Sequence, residues 1–341
     1  MNKSSRRLGV WLLALLVFTA VAVTLRTVAC LTDLDFGSGY FNNKTVITVG
    51  DGFAAVGAVG AICYIFAEKK GLKFAASFKN AATYIPSGLV SVALLFLSAS
   101  LLYDAVMING HPAHISIITA PVNMLSIIIA ILAIASIGAF VLRCLTPDKE
   151  LAYRGWFDVV LIIFLALYTA SLYFDVSTPL NSPAKVTDEM AYLLSAVFFL
   201  YEARISLGRE MWRPYIGFGM AAALVSAYSA IPSIIVYFAK GEVISSSVAE
   251  SVLTLMIFVF IVCRLVLILA LPEDKACPTV EAVILMEKQR EQLLEEESSD
   301  ARENDIEEES CDEQDEDSSN YTFDIDGDSI ALPEGEARED G

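Results

Sequence analysis

The pattern of hydrophobic and polar positions divides the chain into long apolar segments separated by short polar ones. Roughly 20 apolar residues suffice to cross the ~30 Å hydrocarbon layer of a bilayer as an α-helix. The segments long enough to do so are residues 8–25, 46–66, 85–107, 115–142, 156–173, 190–207, 215–238 and 252–271. The pattern therefore predicts an all-α bundle of about eight transmembrane helices over residues 1–271.

The basic residues of the short loops set the orientation of such a bundle, because Lys and Arg are retained on the cytoplasmic side. The N-terminus and the even-numbered loops carry 13 of them, including Arg143 in the fourth loop. The odd-numbered loops carry 4, including Arg26 and Lys185. This alternation predicts that both termini are cytoplasmic. A basic start before an apolar run also describes a cleavable signal peptide, but Arg26 and the length of the run favour a first span. Short outer loops and no transit signal favour a bacterial plasma membrane.

Composition supports this class and sets the C-terminal part of the chain apart. Of the 341 residues, 55% are hydrophobic and 19% are charged, compared with about a quarter charged in a typical soluble domain. Residues 1–271 carry a net charge of +3, whereas residues 272–341 carry −21. We expect a juxtamembrane helix over 272–298 and a disordered acidic tail over 299–341.

The acidic tail contains one small apolar island. Its members are Tyr321, Phe323, Ile325 and Leu332. Islands of this kind often fold on a partner, and the surrounding negative charge favours a basic cytoplasmic protein. The three aspartates of segment 324–328 have the alternate spacing of a calcium loop, but the remaining ligand positions are absent, so we expect no calcium there.

Two ionisable residues inside the predicted spans lie at matching depths. At 1.5 Å per residue, Glu202 lies ~9 Å and Arg264 ~10.5 Å from the inner ends of their spans. A lone charge at this depth is costly and usually pairs, so we predict a Glu202–Arg264 ion pair, with Asp158 as the competing partner. Arg204 points about 200° away from Glu202 and is expected to reach lipid phosphates. We favour a structural clamp over a proton relay or gate.

Other polar residues inside the predicted spans indicate an alternative, a polar path for a solute or ion. The candidates are Asp51, Asn123 and Ser229. Asp51 is either an intramembrane ligand or the N-cap of a helix that starts at Phe53, and the flanking glycines favour the cap. Ser229 lies near the kink expected at Pro232, where hydroxyls more often bond to helix carbonyls or neighbouring helices.

The sequence offers little support for metal or cofactor binding. His111 and His114 are the only histidines, and a stable zinc site needs three or four ligands. The six cysteines occur singly, without the spacing of a disulfide framework or a zinc site. We therefore expect neither a metal nor a cofactor.

The class of function is narrowed by the motifs that the sequence lacks. There is no Walker lysine loop, no HExxH and no GxSxG, and nothing indicates nucleic-acid binding. We expect a non-enzymatic membrane regulator or scaffold that docks a cytoplasmic partner through its tail. A carrier of a small solute is the main alternative, followed by a membrane-embedded enzyme.

Overall fold

The structure, a computed structural model, describes residues 3–36, 39–67, 81–110, 119–145, 151–174, 182–206, 211–244 and 247–270. In that part of the chain, α-helices account for nearly all of the regular structure. The elements in chain order are α1 Lys3–Thr32, β1 Leu34–Asp35, β2 Tyr40–Phe41, α2 Lys44–Ala67, α3 Ala81–Gly110, α4 Thr119–Leu145, α5 Leu151–Phe174, α6 Pro183–Ser206, α7 Trp212–Lys240 and α8 Val248–Ala270.

Seven of these helices are long and apolar enough to cross a membrane. The predicted class, a multi-pass helical membrane protein, is therefore supported, although α6 falls outside the seven. Lys185, Asp188 and Glu189 lie in its first two turns and lower its hydropathy. With 24 residues, α6 is nevertheless ~36 Å long at 1.5 Å per residue, which is long enough to cross a bilayer.

Several helices extend beyond the apolar windows that predicted them. α1 continues to Thr32 rather than ending at Leu25, and α6 begins at Pro183 rather than at Met190. A hydropathy window ends at the first cluster of charges, whereas the backbone hydrogen bonds of a helix continue through charged residues. α4 is described from Thr119, so the predicted start of that span at residue 115 lies outside the described residues.

The helices pack in two groups that meet at α7. α3 packs against α4 and α8, α4 against α5, α5 against α6, α6 against α7, and α7 against α8. These contacts close a ring of six helices. α1 and α2 pack against each other and against the side of α7 outside that ring.

α7 is the central helix of the bundle. In its membrane window 83% of the residues are buried, compared with 11% for α1. Two glycines allow its neighbours to approach closely. A Cβ on Gly217 would lie 2.5 Å from Ile65 of α2, and one on Gly219 would lie 3.0 Å from Phe198 of α6. Small residues are typical where membrane helices pack tightly.

A short antiparallel hairpin, which the sequence did not predict, connects α1 to α2. Leu34 pairs with Phe41 and Asp35 with Tyr40. The Ser182 hydroxyl donates a hydrogen bond to the carbonyl of Gly39 at 3.2 Å, so the hairpin contacts the start of α6. We call this end of the bundle the hairpin end and the opposite one, which contains Glu202, the Glu202 end.

Candidate functional site

The first cluster of buried charges lies at the Glu202 end and joins three helices. Arg264 of α8 donates a hydrogen bond to Glu202 Oε1 of α6 at 2.8 Å. The hydroxyl of Tyr215 in α7 donates to Glu202 Oε2 at 2.5 Å. The side chains of Arg264 and Glu202 are only 6% and 1% exposed. Both carboxylate oxygens are therefore hydrogen-bonded inside the bundle, and the predicted pair is in contact.

A second ion pair lies at the same end, between α4 and α5. Arg143 Nη2 donates to Asp158 Oδ1 at 2.6 Å, and both side chains are fully buried. The sequence assigned Arg143 to the fourth loop and made Asp158 a competitor for Arg264. That interpretation needs correction, because α4 continues to Leu145 and carries Arg143 into the bundle.

The guanidinium of Arg143 is surrounded by aromatic rings from three helices. Its central carbon lies 5.2 Å, 5.5 Å and 5.4 Å from the ring centroids of Phe140, Phe199 and Phe260. Cations are attracted to the negative face of an aromatic ring, and the attraction is stronger away from water. The rings therefore stabilise a cation whose Nε and Nη1 have no hydrogen-bond partner.

The same aromatic layer connects the two ion pairs. Phe199 precedes Glu202 by one turn of α6, and Phe260 precedes Arg264 by one turn of α8. The two rings also contact each other, with centroids 5.6 Å apart. Four helices of the ring, α4, α5, α6 and α8, thus meet around one layer of charges and aromatic rings, and Tyr215 adds α7.

The buried charges of the hairpin end are arranged differently. Arg26 of α1 is 2% exposed; its Nη1 donates to the hydroxyl of Thr187 in α6 at 2.7 Å. Its guanidinium carbon lies 4.5 Å from the ring centroid of Tyr228 in α7. The Tyr228 hydroxyl donates to Asp51 Oδ1 of α2 at 2.5 Å. One tyrosine therefore contacts both a cation and a carboxylate.

The predicted N-cap role of Asp51 is wrong. α2 begins at Lys44, which places Asp51 two turns inside the helix. The backbone N–H of Thr45 in the first turn is instead bonded by the side-chain oxygen of Asn43 at 3.1 Å. Asp51 is exposed on the bundle surface, so it lies beside the interior and not within it.

Ser229 contributes a further hydroxyl at the hairpin end. It follows Tyr228 in α7 and donates a hydrogen bond to Asp188 of α6. Nearby, the hydroxyl of Thr254 in α8 donates to the Tyr192 hydroxyl at 2.9 Å. The structure thus brings Asp51 and Ser229 into one region through consecutive residues of α7.

The remaining predicted residues fall outside what the structure describes in detail. Asn123 lies in α4, but its side chain is not among the described ones. The histidines of the second outer loop, the juxtamembrane segment and the tail island also lie outside the described residues. Within the described part, no group of three or more His, Cys, Asp or Glu side chains is placed to hold a metal ion.

The groups in these two clusters can form ion pairs and can exchange hydrogen-bond partners. The described cysteines are free thiols: Cys30, Cys63, Cys144 and Cys263. A buried ion pair holds its helices strongly, since removing one partner leaves an uncompensated charge at a cost of about 3–5 kcal/mol. The ion pairs of the Glu202 end are therefore suited to fix helix positions, and the hydroxyl contacts of the hairpin end are suited to exchange partners.

Sequence reasoning missed Arg26, Arg143, Tyr215 and Tyr228 as members of these clusters. For Arg143 a signal existed, because Phe199 and Phe260 each lie about one turn before a charged residue of a neighbouring span. No such spacing marks Arg26, since its aromatic partner Tyr228 has no charged residue three or four positions away. Comparison with protein-family models, with curated proteins and with solved structures found no match for this chain.

Proposed function

We propose that the chain crosses a bacterial plasma membrane eight times, with both termini in the cytoplasm. The charge alternation supports this topology. Arg26, Arg143 and Lys185 are buried in helices and are left out of the count. The N-terminus and even-numbered loops then carry 12 basic residues and the odd-numbered loops 2, so the alternation persists. On this topology α6 also crosses the membrane, in addition to the seven apolar helices, and its Glu202 is neutralised by Arg264. The hairpin end is then external.

We propose further that the protein is a non-enzymatic membrane regulator, which docks a basic cytoplasmic protein through the acidic tail. The observation that carries this proposal is the Arg264–Glu202–Tyr215 contact. It lies in the last turns of α8, six residues before Ala270, and the tail follows α8 in the chain. A helix held at this point is a firm anchor for a docking segment.

The test uses the full-length protein, purified from membranes of its source cells together with its bound proteins. Deletion of residues 318–333 removes the apolar island, and deletion of residues 300–315 is a control of equal length that removes more charge. We expect one basic cytosolic protein to be lost only when the island is deleted. Identical sets of bound proteins in all three samples would contradict tail docking.

A carrier of a small solute is the second candidate, because buried polar groups occur along α6, α7 and α8 at both ends of the bundle. Examples are Asp188, Ser229 and Glu250 at the hairpin end and Glu202 at the other. The variant Glu202→Gln separates the candidates. If it folds normally but abolishes uptake of a solute that stabilises the wild-type protein in liposomes, the pair is a relay or gate and not a clamp.

A further inference from the structure

Arg26 is a buried cation to which the proposed function assigns no role. It lies six residues before the end of α1 at Thr32, a depth of ~9 Å at 1.5 Å per residue. Only 2% of its surface is exposed. Charged side chains at such positions in membrane proteins usually pair or mark the site of a ligand.

The contacts of Arg26 leave part of its hydrogen-bonding capacity unused. A guanidinium has five N–H donors. One hydrogen bond goes to the neutral hydroxyl of Thr187, one face lies against Tyr228, and the buried Nε has no hydrogen-bond partner. Arg143 and Arg264 each contact a carboxylate directly, whereas the contacts of Arg26 described above are with a hydroxyl and an aromatic ring.

Two carboxylates of the hairpin end are bonded by hydroxyls of α7. Asp51 accepts from Tyr228, and Asp188 accepts from the next residue, Ser229. α7 therefore holds these acidic groups through its own side chains, and Arg26 is positioned beside Tyr228 without being neutralised by a direct ion pair.

α2 approaches Arg26 and Tyr228 at Gly50. A Cβ on Gly50 would lie 3.3 Å from the Tyr228 hydroxyl and 3.6 Å from the backbone nitrogen of Arg26. The first distance is tight enough that a larger residue would shift the Tyr228 hydroxyl slightly, whereas the second is an ordinary van der Waals contact. α2 therefore packs closely against the backbone of Arg26 and the hydroxyl of Tyr228.

A second cation lies at the surface of the same end. Lys240, the last residue of α7, is exposed and donates a hydrogen bond to the carbonyl of Leu31 in α1 at 2.6 Å. Leu31 follows Arg26 by little more than one turn. Lys240 therefore adds a positive charge to the surface of the end at which Arg26 is buried.

We infer that Arg26, with Lys240 at the surface, anchors a binding site for an oxyanion group, either a phosphate or a carboxylate. The planar guanidinium binds such groups through two parallel hydrogen bonds, and its free Nε supplies one of the donors. The group comes either from a small anion in solution or from the headgroup of an anionic lipid. This site is separate from the tail, so its test does not depend on tail docking.

The experiment measures thermal unfolding of the full-length protein by the fluorescence of its 3 tryptophans. In neutral detergent, inorganic phosphate is titrated at constant ionic strength. In a second arm, the protein is placed in phosphatidylcholine vesicles with and without phosphatidylglycerol. The variants are Arg26→Gln and, as a matched control, Arg204→Gln, which changes an exposed arginine at the other end.

For a free anion, we expect a saturable rise in the unfolding temperature with phosphate, in wild type and in Arg204→Gln. Arg26→Gln should bind about tenfold or more weakly, as expected for the loss of a charge-assisted hydrogen bond. For a lipid headgroup, phosphate has no effect, but phosphatidylglycerol stabilises the wild type and Arg204→Gln and not Arg26→Gln. Equal responses of all three proteins in both arms would overturn the inference.

Lys240→Gln keeps the inference testable if Arg26→Gln fails to fold. Lys240 is exposed, so this variant should fold normally while its apparent affinity for the effective anion falls several-fold. If folded Lys240→Gln binds as tightly as wild type and Arg26→Gln does not fold, the site is not the one described, and Arg26 is a structural tie between helices.

Discussion

The two ends of the bundle neutralise buried charge in different ways. At the Glu202 end, each of the two buried arginines that the structure describes contacts a carboxylate directly, Arg143 with Asp158 and Arg264 with Glu202. At the hairpin end, Arg26 contacts a hydroxyl and a ring. Direct ion pairs fix geometry strongly, since breaking one leaves an uncompensated charge. Hydroxyl contacts are weaker and exchange more easily. We interpret the Glu202 end as the fixed part and the hairpin end as the responsive part.

The largest effect should come from Arg143→Gln. It leaves Asp158, which is fully buried, without its cation, and we expect the free energy of unfolding to fall by about 3–5 kcal/mol. Denaturant unfolding in detergent measures the change. The control Arg204→Gln should stay within about 0.5 kcal/mol. Equal losses in both variants would mean that the Arg143 pair does not hold the Glu202 end together.

Glu202→Gln should have the next largest effect, a loss of about 2–3 kcal/mol. The amide fills the same volume and still accepts a hydrogen bond, so the loss is smaller than for Arg143→Gln, but Arg264 loses its counter-charge. The same unfolding assay applies. An unchanged stability would remove the basis for describing this contact as a clamp.

Removal of one hydroxyl at each end tests the comparison most directly. Tyr215→Phe removes a bond to the buried carboxylate of Glu202 and should cost about 1.5–3 kcal/mol. Tyr228→Phe removes a bond to Asp51, which is exposed and gains solvent in exchange, so we expect less than about 1 kcal/mol. The two variants differ from wild type by the same atom. If Tyr228→Phe costs more, the assignment of fixed and responsive ends is reversed.

A further prediction concerns helix packing at α7. Gly217→Ala places a Cβ 2.5 Å from Ile65, and overpacking of this kind should cost about 1–2 kcal/mol. Gly60→Ala is the control, because nothing lies within 4 Å of its Cβ position. Thermal unfolding distinguishes them. Equal unfolding temperatures for the two variants would show that α2 and α7 separate at little cost.

Hydropathy and depth were sufficient to predict the helical class and to relate Glu202 to Arg264. Both properties depend on position along one helix, which the sequence contains. The assignment of Arg26 and Arg143 failed for one shared reason. Both arginines directly follow an apolar run, and basic residues at such positions are usually assigned to the loops outside the membrane. In the structure, however, their helices continue to Thr32 and Leu145.

The partners of Asp51 and Asp158, which are Tyr228 and Arg143, could not be predicted from position along one helix. Which side chain meets which depends on the order of helices around α7 and around the six-helix ring. A single sequence does not contain that order. Two-residue strands such as Leu34–Asp35 are too short for an alternating pattern to be recognised, so the hairpin was missed as well.

The central position of α7 has a consequence for how the protein is made. α1 and α2 pack against each other and against α7, while α3, α4, α5 and α6 form a continuous chain of neighbours. During synthesis these two groups enter the membrane before α7 does. Until α7 is inserted, no extensive contact among the described helices joins the α1–α2 pair to the α3–α6 group. The carboxylates that later accept hydrogen bonds from Tyr215, Tyr228 and Ser229 do not yet have these partners. Co-translational assembly therefore depends on the seventh helix, and nascent chains that end before residue 212 should be the ones that quality-control proteases recognise.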